Sequence, residues 1–296
     1  MYNKATEIYD IYKQTGKEIW EIALMKDEEN IGVSPEDMLE KMSVTLNVMK
    51  ESAYKGLEEA VISLSGITGG NAIKVNHFRD NSVSGSVITR AMAMALSVSE
   101  VNASMGRIVA APTAGASGII PGVLFTMQEK YNYTDKELIK ALITAGVIGE
   151  IIAQNASISG AEGGCQAECG SASAMGAAAI CYLRGYSPEI MFAASAFAIK
   201  NILGLVCDPV CGLVEYPCNL RNASGVVNAI ISADLAMAGV DCLIPLDETI
   251  DSMRQVGASM PEALRETAMG GVAATPTAQK LEERREEEID ELKTRK

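Results

Sequence analysis

The chain of 296 residues carries 25 basic and 38 acidic side chains, a formal net charge of −13, with 48% hydrophobic but only 5% aromatic residues. That length allows one large domain or two small ones, and so acidic a chain lacks the cationic face with which duplex-binding proteins displace counterions, which sets nucleic acid aside as a partner. A core with few rings must be built from Ala, Ile, Leu, Val and Met, a composition suited to close helix–helix packing.

The first residues, Met1-Tyr2-Asn3-Lys4-Ala5-Thr6-Glu7, lead into a charged amphipathic segment without the apolar run that export requires, so a soluble cytoplasmic protein is expected. Ser34-Pro35-Glu36-Asp37 is a helix start: Ser can cap, Pro is tolerated in the first turn, and acids favour it. Met38, Leu39, Met42, Leu46 and Met49 then recur at helical spacing. The longest uncharged stretch, Ile108 to Gln128, contains Pro112, Gly115, Gly118, Pro121 and Gly122, and reads as a turn-rich loop opening a helix, not as a membrane span. Thr134-Asp135-Lys136-Glu137 is a capping box. The helix after it carries only Lys140 and Glu150 as charges before Ser159, the pattern of a buried central helix. Ser187-Pro188-Glu189 starts another helix, and the run from Leu281 to Lys296 is a charged tail.

Period-2 alternation is scarce, so the expectation is an all-α fold. A single large helical domain over residues 1–280 is expected, with 1–60 as an N-terminal helical segment and 281–296 as the tail. Glycine-rich breaks interrupt the helices at Thr68-Gly69-Gly70, Pro112 to Gly118, Ser159 to Gly164 and Cys207 to Pro217. Glycine lets backbone approach a ligand closely, and four such breaks suggest loops converging on one site.

None of the seven cysteines precedes Cys165; the others are Cys169, Cys181, Cys207, Cys211, Cys218 and Cys242. In a cytoplasmic chain they do not suggest a disulfide framework. Cys165-Gln-Ala-Glu-Cys169 and Cys207-Asp-Pro-Val-Cys211, followed by Cys218, could bind zinc or an iron–sulfur cluster, because thiolates suit soft or borderline metals. The spacing lacks both a zinc-ribbon signature and the compact ferredoxin run. The single histidine, His77, excludes sites built from several imidazoles of one chain.

Six strings go further: Ala111-Pro-Thr-Ala-Gly-Ala-Ser-Gly118, Asn155-Ala-Ser-Ile-Ser-Gly160, Gly160-Ala-Glu-Gly-Gly-Cys165-Gln-Ala-Glu, Gly204-Leu-Val-Cys207-Asp-Pro-Val, Gly212-Leu-Val-Glu-Tyr-Pro-Cys218 and Arg221-Asn-Ala-Ser-Gly225. Together they resemble the α subunit of iron–sulfur L-serine dehydratases, over roughly residues 66–277. The resemblance implies a lyase that converts L-serine to pyruvate and ammonia. It also implies a [4Fe–4S] cluster held by Cys165, Cys207 and Cys218, with one iron left open as a Lewis acid for the departing hydroxyl. Cys169 and Cys211 depart from the family's pattern and are expected to be bystanders, with Cys181 and Cys242 as core thiols.

The substrate carboxylate is expected at the Pro112–Gly118 loop, through backbone N–H groups around Gly115 and the hydroxyls of Thr113 and Ser117. Lys74, Asn155, Ser157, Ser159 and Asn222 are further candidate contacts. The family's general base is associated with a Ser-Ser-Ser-His-Thr motif that this chain lacks, which implies a separate β subunit. The rival readings are an iron–sulfur L-cysteine desulfidase, in which thiol departure follows the same logic, and a non-enzymatic iron–sulfur or zinc protein such as a redox sensor.

Overall fold

Small side chains decide how this chain packs. The computed structural model describes the backbone of residues 2–294 and the side-chain surroundings of residues 2–287. Among the described residues there are thirteen α-helices and no strand, only two isolated β-bridges. The fold is all-α, as the scarcity of alternation implied.

The N-terminal segment forms α1 (Ala5–Thr15), α2 (Ile19–Ile31) and α3 (Pro35–Glu58). Ser34 caps α3, its hydroxyl accepting from the Asp37 N–H at 3.2 Å. An ion pair between a buried lysine and a half-buried glutamate ties this segment to the rest: Lys26 Nζ stands 2.6 Å from Glu150 Oε1, and the Tyr2 hydroxyl donates to Glu150 Oε2 at 3.0 Å. After α4 (Asn71–Phe78) come α5 (Ser86–Ala103), α6 (Ile119–Tyr131) and α7 (Asp135–Asn155). The capping box of Thr134 and Glu137 starts α7, and its buried residues, from Leu138 to Ile152, occupy most of its circumference.

The second half contributes α8 (Gly160–Gly163), a π-helical turn at Gln166–Gly170, α9 (Ser171–Leu183), α10 (Pro188–Lys200), α11 (Cys218–Met237), α12 (Leu246–Ser259) and α13 (Pro276–Thr294). Helix α9 is the hub, packed against α6, α7, α10 and α11. Ala172, Ala174, Ala177, Ala178 and Ala179, spread around its circumference, are wholly buried, and a methyl on Gly176 would come within 3.1 Å of Val123 and 3.2 Å of Ala229. Close approach of this kind recovers in dispersion and excluded water what large side chains would supply elsewhere.

The charged tail is not separate in its backbone: Leu281 to Thr294 continue α13, which begins at Pro276, while Arg295 and Lys296 lie outside the described residues. Among the described residues no helix is long and apolar enough to cross a membrane.

Candidate active site at the cysteine loops

Two core helices aim their N-terminal ends at one place. Cys218 is the first residue of α11, and Cys165 opens the π-turn that runs into α9. Cys207 comes from the connection between α10 and α11. All three thiols are buried. A helix N-terminus favours the thiolate, the form that ligates metals.

Burial pushes Cys218 up to about 12 and Cys207 well above the ordinary cysteine value, and the neighbouring thiolates and Glu168 add to both shifts. Cys165 differs. It shares a hydrogen bond with Cys169 at 3.4 Å between sulfurs, and Arg221 stands beside it; together they hold it below the ordinary value against the effect of burial. Cys169, its partner, is displaced upward by that hydrogen bond and by burial. Cys211 faces elsewhere: it is half-buried, in the left-handed region at φ 56°, within the electrostatic reach of Glu282 and Arg285 on α13. Cys181 is buried in the main core on α9, while Cys242 is half-buried beside Lys200, 3.5 Å from its Nζ.

The four glycine-rich breaks are tied to this place by side chains. Asn222 on α11 accepts from the Gly118 N–H at 2.8 Å, and its amide donates to the carbonyls of Gly115 at 2.6 Å and Cys218 at 2.9 Å. Glu215 accepts from Ser65 at 2.7 Å and Thr68 at 3.2 Å, binding the first break to the last. Gly160 lies against the cysteines so closely that a methyl there would be 2.9 Å from Cys207 Sγ and 2.8 Å from Glu168 Oε2. Convergence of these loops was legible from their composition; the residues that effect it were not.

Glu168 is the functional candidate that the sequence reading missed. It projects from the π-turn, accepts from the Thr113 hydroxyl at 2.6 Å, and has the Cys207 thiol 3.9 Å from its other oxygen. Burial raises its pKa, the nearby Glu266 adds to the shift, and the Thr113 hydrogen bond opposes it. The only available signal was its place inside the Cys165–Cys169 string.

A strap, Pro261 to Thr275, closes over Cys207. The Cys207 N–H donates to Leu264 O at 2.9 Å, and the Glu266 N–H donates to Cys207 O at 2.7 Å. Further along, Val272 N–H donates to Asp208 Oδ2 at 2.7 Å, and Asp208 is paired with Arg221 at 2.6 Å. A methyl on Gly271 would fall 2.1 Å from that Asp208 oxygen, and its φ of 59° already demands glycine.

The expected substrate contacts divide. Thr113 and Gly115 stand at Glu168, and Asn222 holds their loop. Ser117 is fully buried and spends its hydroxyl on Ala114 O at 2.8 Å. Ser157 bonds Glu162 at 2.5 Å and accepts from the Ser159 N–H, an ordinary turn. Asn155 donates to Asn3 O at 2.6 Å, pinning the N-terminal segment. It lines a surface cleft of about 470 Å³ with Lys4, Asp247 and Asp251, where no thiol is present. Lys74 and His77 are exposed on α4; the charge that Lys74 influences is Glu100.

Comparison with known proteins decides the lineage. Residues 14–273 match the family described as serine dehydratase alpha chain. The chain belongs to that family. It is 48% identical over 286 residues to the probable L-serine dehydratase, alpha chain, of Bacillus subtilis (strain 168), covering 96% of this chain and 95% of that one. It is 47% identical over 283 residues to the L-serine dehydratase, alpha chain, of Peptoniphilus asaccharolyticus, covering 95% and 97%. The L-serine dehydratase TdcG of Escherichia coli (strain K12) is 44% identical over 182 residues, which are 60% of this chain but only 40% of that protein. Family members thus occur both at this chain's length and as longer chains.

Proposed function

We propose that this chain is the cluster-bearing α subunit of an L-serine dehydratase, which removes water from L-serine and releases pyruvate and ammonia with a [4Fe–4S] cluster and a β subunit. The observation that carries the reading is that three buried thiols of a chain in this family, Cys165 before α9 and Cys207 and Cys218 at the two ends of the loop leading into α11, lie within electrostatic reach of one another. The donor set fits the cluster: three soft sulfurs, each within the electrostatic influence of Glu168, with two of them at helix N-terminal ends. Among the described residues no three Cys, His, Asp or Glu side chains meet as ligands of a single ion, whereas a cubane takes its thiolates at separate corners. When bound, such a cluster with three protein ligands supplies an open iron as Lewis acid for the serine hydroxyl.

The chain's own residues do the rest of the placing. The Asn222 side chain fixes the Thr113–Gly118 loop to the helix that begins with Cys218, so the loop and the thiols keep one geometry. Arg221, half-buried beside Cys165 and paired with Asp208, offsets part of the negative charge gathered there. The strap shields Cys207 from water. The single histidine is exposed on α4, with nothing that brings it to the thiols, which supports assigning the Cα base to a β partner. The longer relatives, of which this chain matches 40%, have room for that partner in the same polypeptide.

The test is anaerobic reconstitution of the purified chain, followed by iron and sulfide analysis, EPR and a pyruvate assay with and without β. One four-iron cluster per chain, with serine turnover that depends on β, is expected. Zinc in place of iron, or full turnover by the α chain alone, would overturn the reading. Activity on L-cysteine with none on L-serine would move it to the desulfidase.

A further inference from the structure

We propose that Glu168 is the residue that receives the substrate's α-ammonium group, with Glu266 on the strap as its outer partner; the inference rests on the dehydratase reading above. Glu168 occupies a slot formed by two loops. A methyl on Gly115 would come within 2.9 Å of Glu168 Oε1, and a methyl on Gly160 within 2.8 Å of Oε2. Side chains are absent from both loops at the points that face this carboxylate. One oxygen is oriented by the Thr113 hydroxyl at 2.6 Å; the other faces Cys207 Sγ and the space above Gly160, which Glu266 Oε2 also borders at 3.2 Å from the same methyl position.

This carboxylate has no cation of its own. Among the described residues no Lys or Arg nitrogen comes within ion-pairing distance of Glu168 or Glu266, and Arg221 is committed to Asp208 at 2.6 Å. A partly buried carboxylate beside thiols and a second carboxylate is an accumulation of negative charge that one small cation would relieve. Serine brings three groups: a hydroxyl, a carboxylate and an ammonium. The proposed open iron takes the first and the N–H groups of the Gly115 loop suit the second. Glu168 stands between the loop and Cys207 and is the acceptor left for the third.

Serine and L-glycerate share hydroxyl and carboxylate and differ in the ammonium, so they isolate this contact. In the anaerobic, cluster-loaded enzyme assembled with β, we expect Glu168→Gln to raise the KM for L-serine about tenfold to a hundredfold, the loss of one charged hydrogen bond. Its Ki for L-glycerate should stay the same or fall. Glu168→Asp should recover part of the serine affinity, and Glu266→Gln, on the exposed strap, should shift the same ratio by a smaller factor. Visible absorbance of the cluster is measured in each variant; if Glu168→Gln fails to load, Glu168→Asp and Glu266→Gln carry the comparison. Equal weakening of serine and glycerate, or an unchanged ratio, would overturn the inference while leaving the dehydratase reading intact. Absence of serine turnover in the wild-type enzyme would overturn that reading, and the ammonium contact with it.

Discussion

Cys169 Sγ lies 3.4 Å from Cys165 Sγ, hydrogen-bonded to it from one turn further along the π-helical segment. A thiol hydrogen-bonded to the sulfur of a proposed ligand would tune that ligand without replacing it. Cys169→Ala should therefore retain the cluster, with iron and sulfide close to the wild-type amount, whereas Cys165→Ala, Cys207→Ala and Cys218→Ala should each lose it. Iron analysis after anaerobic reconstitution reads the difference. Loss in Cys169→Ala with retention in Cys165→Ala would exchange their roles.

Gly160→Ala should damage the site without unfolding the protein. Its methyl would press on Glu168, Cys207 Sγ and Glu266 at 2.8, 2.9 and 3.2 Å. Cluster content should fall by about half or more, with far-ultraviolet helicity unchanged, because overpacking of this kind costs roughly 1–3 kcal/mol locally. Gly146→Ala on α7 is the control. Nothing lies within 4 Å of that methyl position, so the variant should load fully and gain about 0.5–1 kcal/mol in urea denaturation.

Asn222→Ala should be among the most costly polar substitutions. It leaves the Gly118 N–H and the Gly115 carbonyl without their partner, in a residue only 1% exposed. Each buried group left unpaired costs about 1–3 kcal/mol, so urea denaturation should show a loss of about 2 kcal/mol or more. Asn222→Asp keeps the acceptor but turns a carboxylate oxygen toward two carbonyls, and should not rescue.

Glu100 supplies a pH test away from the cysteines. Its Oε1 accepts from the N–H groups of Asn71 and Ala72 at the start of α4, while Oε2 is buried without a partner. Burial raises its pKa above 4.5, against the pull of those N–H groups and Lys74. The protonated form is thus favoured in the folded chain. Its contribution to stability is complete below the ordinary glutamate value and is lost as pH rises through the folded one. Glu100→Gln removes that loss, so its melting temperature should gain on wild type as pH rises from about 4 to about 7. A difference independent of pH would show that Glu100 does not titrate in this way.

Local signals carried the helices well. Ser34-Pro35, the Thr134–Glu137 box and Ser187-Pro188 each start a helix where the chain does, because capping is settled within four residues. The site was legible only where single residues carry it. Glu168 acquires its surroundings from Thr113, Gly115, Gly160 and Cys207, and no local pattern encodes that meeting. Asn155 and Lys74 looked equivalent to Thr113 as polar residues near glycine; helix packing turned them elsewhere. The strap from Pro261 to Thr275 had no signal, because its order comes from single bonds to Cys207 and Asp208.

The positions of the three thiols also constrain biogenesis. Cys165, Cys207 and Cys218 are 42 and 11 residues apart, and they meet only once α9, α10 and α11 have docked. A nascent segment emerging from the ribosome offers scattered cysteines, not a ligand set. In zinc-finger peptides the metal organises a short segment; here, on the proposed ligand set, a complete three-thiol site requires the packing of three long helices. Cluster uptake would then draw the chain toward this packing by mass action, whichever of the two comes first.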